Sequence, residues 1–217
     1  MSDDRAVDLA ALRAEYGDVG LDEARAGADP WHLWQRWFDE AAAAGIHEPN
    51  AMVVATVDPD GGPAARTVLL KGVGPDGFRF FTNTASRKGA ALAEEPGCAL
   101  LFPWHPLERQ VRVDGVAVPL PAEDVAAYFA SRPRGSQLGA WASPQSRVVA
   151  GRAELDARYR EVEERFDGQD VPVPPEWGGY RVVPARFEFW QGRPGRMHDR
   201  LRYTATGDGW TIERLAP

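Results

Sequence analysis

From residue 51 onward the chain is written as short, apolar, β-prone runs separated by turn signals, and this alternation limits what it can fold into. AMVVATV (51–57) is followed by the turn Asp58-Pro59-Asp60-Gly61-Gly62, and ARTVLLKGV (65–73) by GPDG and FRFFT (78–82). CALLFPW (98–104), RQVRVDGVAVPL (109–120), RVVPARFEFWQG (181–192), LRYTAT (201–206) and WTIERL (210–215) continue the series. Runs of this length with Gly, Pro and Asp between them point to an antiparallel barrel or sandwich. Helices interrupt the series. Asp29 is placed to cap a helix whose first residue is Pro30. Trp34, Trp37, Phe38 and Ala41 give that helix a core face, and Gly45 ends it. Further helices are expected over 86–95, over 122–130 after Pro121, and over 145–167 after Ser143-Pro144. Val171 to Glu176 is a proline-rich loop. The expected class is mainly β with helices (α+β). Residues 29–217 form one domain, preceded by a flexible acidic arm over 1–28.

Charge narrows the partners. The net charge is −7, and the first 50 residues hold 11 acidic and 4 basic residues, so the rest of the chain is neutral. Inside that neutral body the cations cluster: Arg66 with Lys71, Arg87 with Lys88, Arg132 with Arg134, and Arg181 to Arg202. Clustered cations in a neutral frame suit small anions better than nucleic acid, whose binders are basic over a whole face. No apolar run has the length of a membrane span. The acidic N-terminus lacks the layout of a signal peptide. Cys98 stands alone, which excludes an internal disulfide and fits a reducing cytoplasm.

One motif is misleading. Gly72 to Gly77 matches G-x-G-x-x-G, but Phe78-Arg79-Phe80-Phe81 follows where a dinucleotide site needs a helix. It reads as a hairpin turn. His32, His47, His105 and His198 are scattered, without metal-ligand spacing, so no metal site is expected. No P-loop or G-x-S-x-G elbow occurs.

The remaining constellations favour anions and flat rings. Arg66 and Lys71 bracket a strand. Ser86, Arg87 and Lys88 enter a helix, whose first turn offers free N–H donors to a phosphate. Ordinary capping with two exposed cations explains the same residues. Gln110 lies on a strand, facing either ligand or solvent. Tyr128 and Arg132 share a helix face near Ser136 and suit a second phosphate, although an arginine there also favours the helix dipole alone. Trp190, Arg193, Arg196, His198, Asp199 and Arg200 crowd one strand end, where stacking or proton work is available to a ligand.

Six stretches carry a resemblance over nearly the whole chain, from Leu12 to Pro217: RTVLLKGV, FTNTASRKGAAL, LLFPWHPLERQVRV, YFASRPRGSQLGAWASPQS, EFWQGRPGRMHDR and WTIERLAP. Together they resemble the pyridoxine/pyridoxamine 5′-phosphate oxidase family. The resemblance implies an antiparallel FMN-binding split β-barrel flanked by helices. It also implies a homodimer with active sites shared between subunits. FMN would be held by Arg66, Thr67, Val68, Leu69, Leu70, Lys71, Phe81, Thr82, Arg87, Lys88, Gln110, Gln145, Ser146, Trp190 and Arg200. The substrate phosphate would meet Lys71, Tyr128, Arg132 and Ser136. Arg196 and His198 would flank the pyridine ring as the catalytic, orienting pair, and Arg13 and Tyr16 would close over it. The implied reaction oxidises pyridoxine 5′-phosphate or pyridoxamine 5′-phosphate to pyridoxal 5′-phosphate, with oxygen reoxidising the flavin to give hydrogen peroxide. Phe81 stands where the family often has Tyr, and Gly17 to Ala28 is acidic where many members are basic. Two alternatives stay open: another flavin or deazaflavin reductase on the same barrel, and a non-catalytic binder of FMN or pyridoxal phosphate.

Overall fold

The computed structural model describes residues 15–217. Its helices are α1 (Glu23–Ala26), α2 (Pro30–Ala43), α3 (Arg87–Glu94), α4 (Ala122–Ser131), α5 (Arg134–Ala142) and α6 (Arg152–Arg165). Its strands are β1 (Ala51–Val57), β2 (Pro63–Leu69), β3 (Gly72–Gly74), β4 (Gly77–Asn83), β5 (Gly97–Trp104), β6 (Arg109–Pro119), β7 (Trp177–Gln191), β8 (Asp199–Thr206) and β9 (Gly209–Leu215).

All nine strands form one antiparallel sheet in the order β2-β1-β5-β6-β7-β4-β3, with β8 on β7 and β9 on β8. β7 organises it. One edge of β7 pairs with β6. The other edge pairs with β4 over Trp177–Val182 and then with β8 over Arg186–Gln191. That change of partner splits the sheet, which curls into a half-barrel. The β6–β7 register slips at Asp114/Gly115. A Cβ on Gly115 would sit 2.3 Å from the Val183 carbonyl oxygen, so only glycine lets the strands approach there.

The α2 helix closes the core. The Asp29 carboxylate accepts from the Trp31 N–H at 2.9 Å and caps it. Leu33, Trp34, Trp37 and Ala41 are buried on one face, as the helical spacing requires. Trp34 meets Phe78 and Phe102 edge-on at 5.3 and 5.5 Å, and Trp37 meets Phe189 at 5.4 Å. Gly45 follows the helix at φ +71°, with nothing near an added Cβ. Gly45→Ala is therefore expected to cost about 1 kcal/mol through left-handed backbone strain alone, read as a urea midpoint shift. A smaller core of Phe129, Leu138, Phe166 and Val171 ties α4, α5 and α6 together.

Several elements differ from the sequence expectation. The run 65–73 is two strands, broken where Leu70 N–H turns to the Asn50 carbonyl and Lys71 N–H to that of Arg79. The segment 145–167 is helical only from Arg152, and α5 occupies Arg134–Ala142, where no helix was expected. Gly135 and Gly139 weaken its helical signature, and only tertiary packing of Leu138 and Ala142 reveals it. β7 begins four residues before Arg181, through Gly178-Gly179. The G-x-G-x-x-G segment is the β3–β4 hairpin, with Gly74 paired to Gly77.

Of the N-terminal arm, residues 15–28 are described. Leu21 and Ala26 are buried against the main core. Leu21 N–H donates to Asp199, Arg214 grips Glu23 and the Leu21 carbonyl, and Tyr203 donates to the Gly27 carbonyl.

Candidate active site

A cleft of about 440 Å³ opens between β2, the turn that follows it, β4, α3 and the α4–α5 unit. Of the residues singled out in the sequence, Thr67, Val68, Leu69, Lys71, Phe81, Thr82, Lys88, Tyr128, Arg132, Ser136 and Gln145 line it. Stretches far apart in the chain therefore meet in one place. Asn83, Gly139, Ala140, Ser143 and Trp177 line it as well. The sequence reading missed these five. The available signal for Trp177 was a large aromatic directly after the Pro174-Pro175-Glu176 loop.

The cleft is cationic without a counter-charge. Lys71, Lys88 and Arg132 line it, and no carboxylate among the described residues does. Ser86 caps α3, with its hydroxyl accepting from Gly89 N–H, and this sets Lys88 in the first turn. The Lys88 ammonium donates to Gln145 Oε1 at 2.6 Å and to Ser86 Oγ at 3.3 Å. Thr82 Oγ1 donates to the same Gln145 oxygen at 3.2 Å. Burial, seconded by the nearby Arg66 charge, pushes the Lys88 pKa down to about 8. Arg66, on β2, spends Nη1 on Thr56 Oγ1 at 2.7 Å and on the Val54 carbonyl. Burial lowers its pKa too, against the opposing pull of Asp58. Arg87 opens α3 and pairs with the buried Asp58. Leu70 is buried in the main core, and Ser146 follows Gln145 at φ +71°. Phe81 stacks face to face on Tyr128, with centroids 3.8 Å apart and planes at 12°.

The remaining expected residues form a second group outside the cleft. Trp190 on β7 is paired in register with Gln110 on β6 and Arg200 on β8. His198 lies 4.7 Å from the Trp190 ring, and Tyr16 packs edge-on against both rings. The Arg193 N–H donates to His198 Nδ1 at 3.1 Å, so the proton of the neutral ring sits on Nε2. Arg200 donates through Nε and Nη2 to the buried Glu188 and through Nη1 to the Ala216 carbonyl. Arg196 is exposed on a 3₁₀ turn at φ +65°. Arg13 lies outside the described residues. Among the described residues no cluster of His, Cys, Asp and Glu is placed to hold a metal ion, and no helix is long and apolar enough to cross a membrane.

A split antiparallel barrel with a cleft lined by Lys71, Lys88 and Arg132 on its flank defines the class. Residues 38–166 match the pyridoxamine 5′-phosphate oxidase family, and residues 177–217 match the pyridoxine 5′-phosphate oxidase C-terminal dimerisation region. The chain belongs to the pyridoxamine 5′-phosphate oxidase family, whose members of this type are oxidoreductases. It is 65% identical over 211 residues to the pyridoxine/pyridoxamine 5′-phosphate oxidase of Nocardioides sp., covering 97% of this chain and 99% of that protein. The Rubrobacter xylanophilus protein of the same name is 57% identical, with 97% of each chain covered. Among solved structures, PhzG from Burkholderia lata 383, in complex with tetrahydrophenazine-1-carboxylic acid, superposes with a TM-score of 0.85 at 31% identity, covering 93% of this chain and all of that one. The split-barrel expectation is met.

Proposed function

We propose that the protein oxidises pyridoxine 5′-phosphate and pyridoxamine 5′-phosphate to pyridoxal 5′-phosphate, using FMN, with oxygen as electron acceptor and hydrogen peroxide as product. The amine route also consumes water and releases ammonia. This would serve vitamin B6 salvage in the cytoplasm. The observation that carries the reading is one cleft lined, among the described residues, by three cations and no carboxylate, with buried Arg132 Nη1 unpartnered among those residues. Buried and part-buried cations such as Lys88 and Arg132, without an anion beside them, favour phosphate-bearing ligands.

FMN fits this setting. An ammonium whose pKa is lowered by burial and by a second cation is stabilised when a dianion binds beside it, and Lys88 beside Arg66 is such a group. Lys88, Arg66 and Arg87 would hold the FMN phosphate. Thr82, Gln145, Ser146 and the strand Thr67, Val68, Leu69, Leu70 and Lys71 would line its polar edge, with Phe81 contributing backbone. When bound, the flavin supplies a two-electron acceptor that oxygen can regenerate. Lys71, Tyr128, Arg132 and Ser136 would fix the substrate phosphate and so the position of the reacting carbon.

A homodimer completes the site in this reading. Trp190, Arg196, His198 and Arg200 all fall within the stretch matching the dimerisation region, and none of them lines the cleft. Together with Gln110 they would reach the cleft of a second copy. There Arg196 and the Nε2–H of His198 would orient the pyridine ring, and Tyr16 with Arg13 would cover it. The Burkholderia lata neighbour binds a ligand without phosphate. Phosphate recognition by Lys71, Tyr128, Arg132 and Ser136 is what this reading requires of the present chain. The test is peroxide and aldehyde formation by FMN-loaded protein. Equal amounts of both from pyridoxine 5′-phosphate support the reading, and neither product overturns it.

A further inference from the structure

We propose that Trp177 is a positioning residue for Arg132 and through it sets the preference for phosphorylated over unphosphorylated substrate. This rests on the function proposed above.

Arg132 sits just past the end of α4, immediately before Pro133. The proline forces it into extended backbone, at φ −74° and ψ 147°, and so ends the helix there. Its guanidinium carbon lies 4.1 Å from the centroid of the Trp177 ring and 5.5 Å from that of Phe129. Among the described residues its side chain makes no ion pair and no hydrogen bond, and Nη1 is buried without a partner. Arg134, two residues on, behaves oppositely. It spends both terminal nitrogens on the Gln169 and Phe166 carbonyls.

An arginine held by ring faces keeps its in-plane N–H edge free. That edge is the part that matches two oxygens of a phosphate. A carboxylate partner would have fixed the guanidinium equally well but would have occupied the same donors. Trp177 is itself well anchored. It begins β7 opposite Asn83, its backbone N–H donates to the Pro174 carbonyl, and its ring meets Phe129 edge-on at 5.8 Å. Lys71, the other cation assigned to the substrate, is exposed and acts as a movable point charge. Rigid two-point recognition therefore falls to Arg132, and its rigidity comes from Trp177.

The test uses FMN-loaded protein and calorimetric binding of 4-deoxypyridoxine 5′-phosphate against 4-deoxypyridoxine, which lack the oxidisable group. KM and kcat for pyridoxine 5′-phosphate run alongside. Trp177→Leu is expected to lower the phosphate preference about tenfold and to raise KM with little change in kcat or in FMN affinity. Trp177→Phe keeps a smaller ring face and is expected to lose about threefold; it decides the question if the leucine variant does not fold. In an Arg132→Ala background the Trp177 substitution should change the preference less than twofold, because its effect passes through Arg132. An unchanged preference in a folded Trp177 variant overturns the proposal, and so does an equal loss with Arg132 absent. A parent protein without any phosphate preference overturns the functional reading and this proposal with it.

Discussion

Lys88→Met is expected to bind FMN roughly 100-fold more weakly than the parent, while its flavin-free form unfolds at the same temperature or higher. The two effects share one cause. The Lys88 ammonium is largely buried, its hydrogen-bond partners are neutral, and the nearby Arg66 repels it. Without a bound anion the charge is a cost, and methionine of similar length removes that cost. With a bound phosphate the charge is the partner, and methionine removes that too. The pH dependence follows with its sign. The Lys88 pKa falls from 10.5 to about 8 in the folded chain, so folding favours the neutral amine. Stability of the flavin-free protein should therefore rise between about pH 8 and 10.5. A bound phosphate favours the ammonium, so FMN affinity should fall as pH climbs above about 8. Both trends should vanish in Lys88→Met. Flavin fluorescence titrations and thermal melts across that range check them; a variant with parental FMN affinity removes Lys88 from the cofactor site.

Arg196→Ala is expected to lower turnover roughly 100-fold with FMN affinity and melting temperature unchanged. Among the described residues Arg196 makes no ion pair or side-chain hydrogen bond, and its side chain is exposed. It also sits at φ +65°, a conformation that costs a non-glycine residue energy. Stability therefore gives no reason for an arginine there. In the proposed function the arginine serves the substrate ring in the cleft of a second protomer. Steady-state rates with pyridoxine 5′-phosphate, beside an FMN titration, make the comparison. Unchanged turnover would remove Arg196 from the site.

These residues also show what a sequence can and cannot disclose. The strand at Ala51–Val57 is readable because Met52, Val54 and Thr56 alternate toward the core. α2 is readable because its cap and aromatic stripe agree. α5 is not, because two glycines mask a helix that exists through its packing against α6. The gathering of Lys71, Lys88, Tyr128 and Arg132 was expected from family resemblance; spacing alone left capping and solvent-exposed readings open. Trp177 escaped because its importance lies in the face it shows Arg132, a tertiary contact 45 residues away in the chain. The division of the expected site into a cleft and a separate Trp190–His198 group is likewise invisible in one dimension. It depends on β7 changing partners halfway along its length.

The most direct measurement is a mixing experiment without oxygen. FMN-loaded protein is combined with pyridoxine 5′-phosphate while the visible absorbance of the flavin is followed. The flavin is expected to bleach and one equivalent of pyridoxal 5′-phosphate to form per flavin, with colour and hydrogen peroxide appearing when air is admitted. A flavin that stays oxidised while the phosphorylated substrate is demonstrably bound would contradict the proposed function.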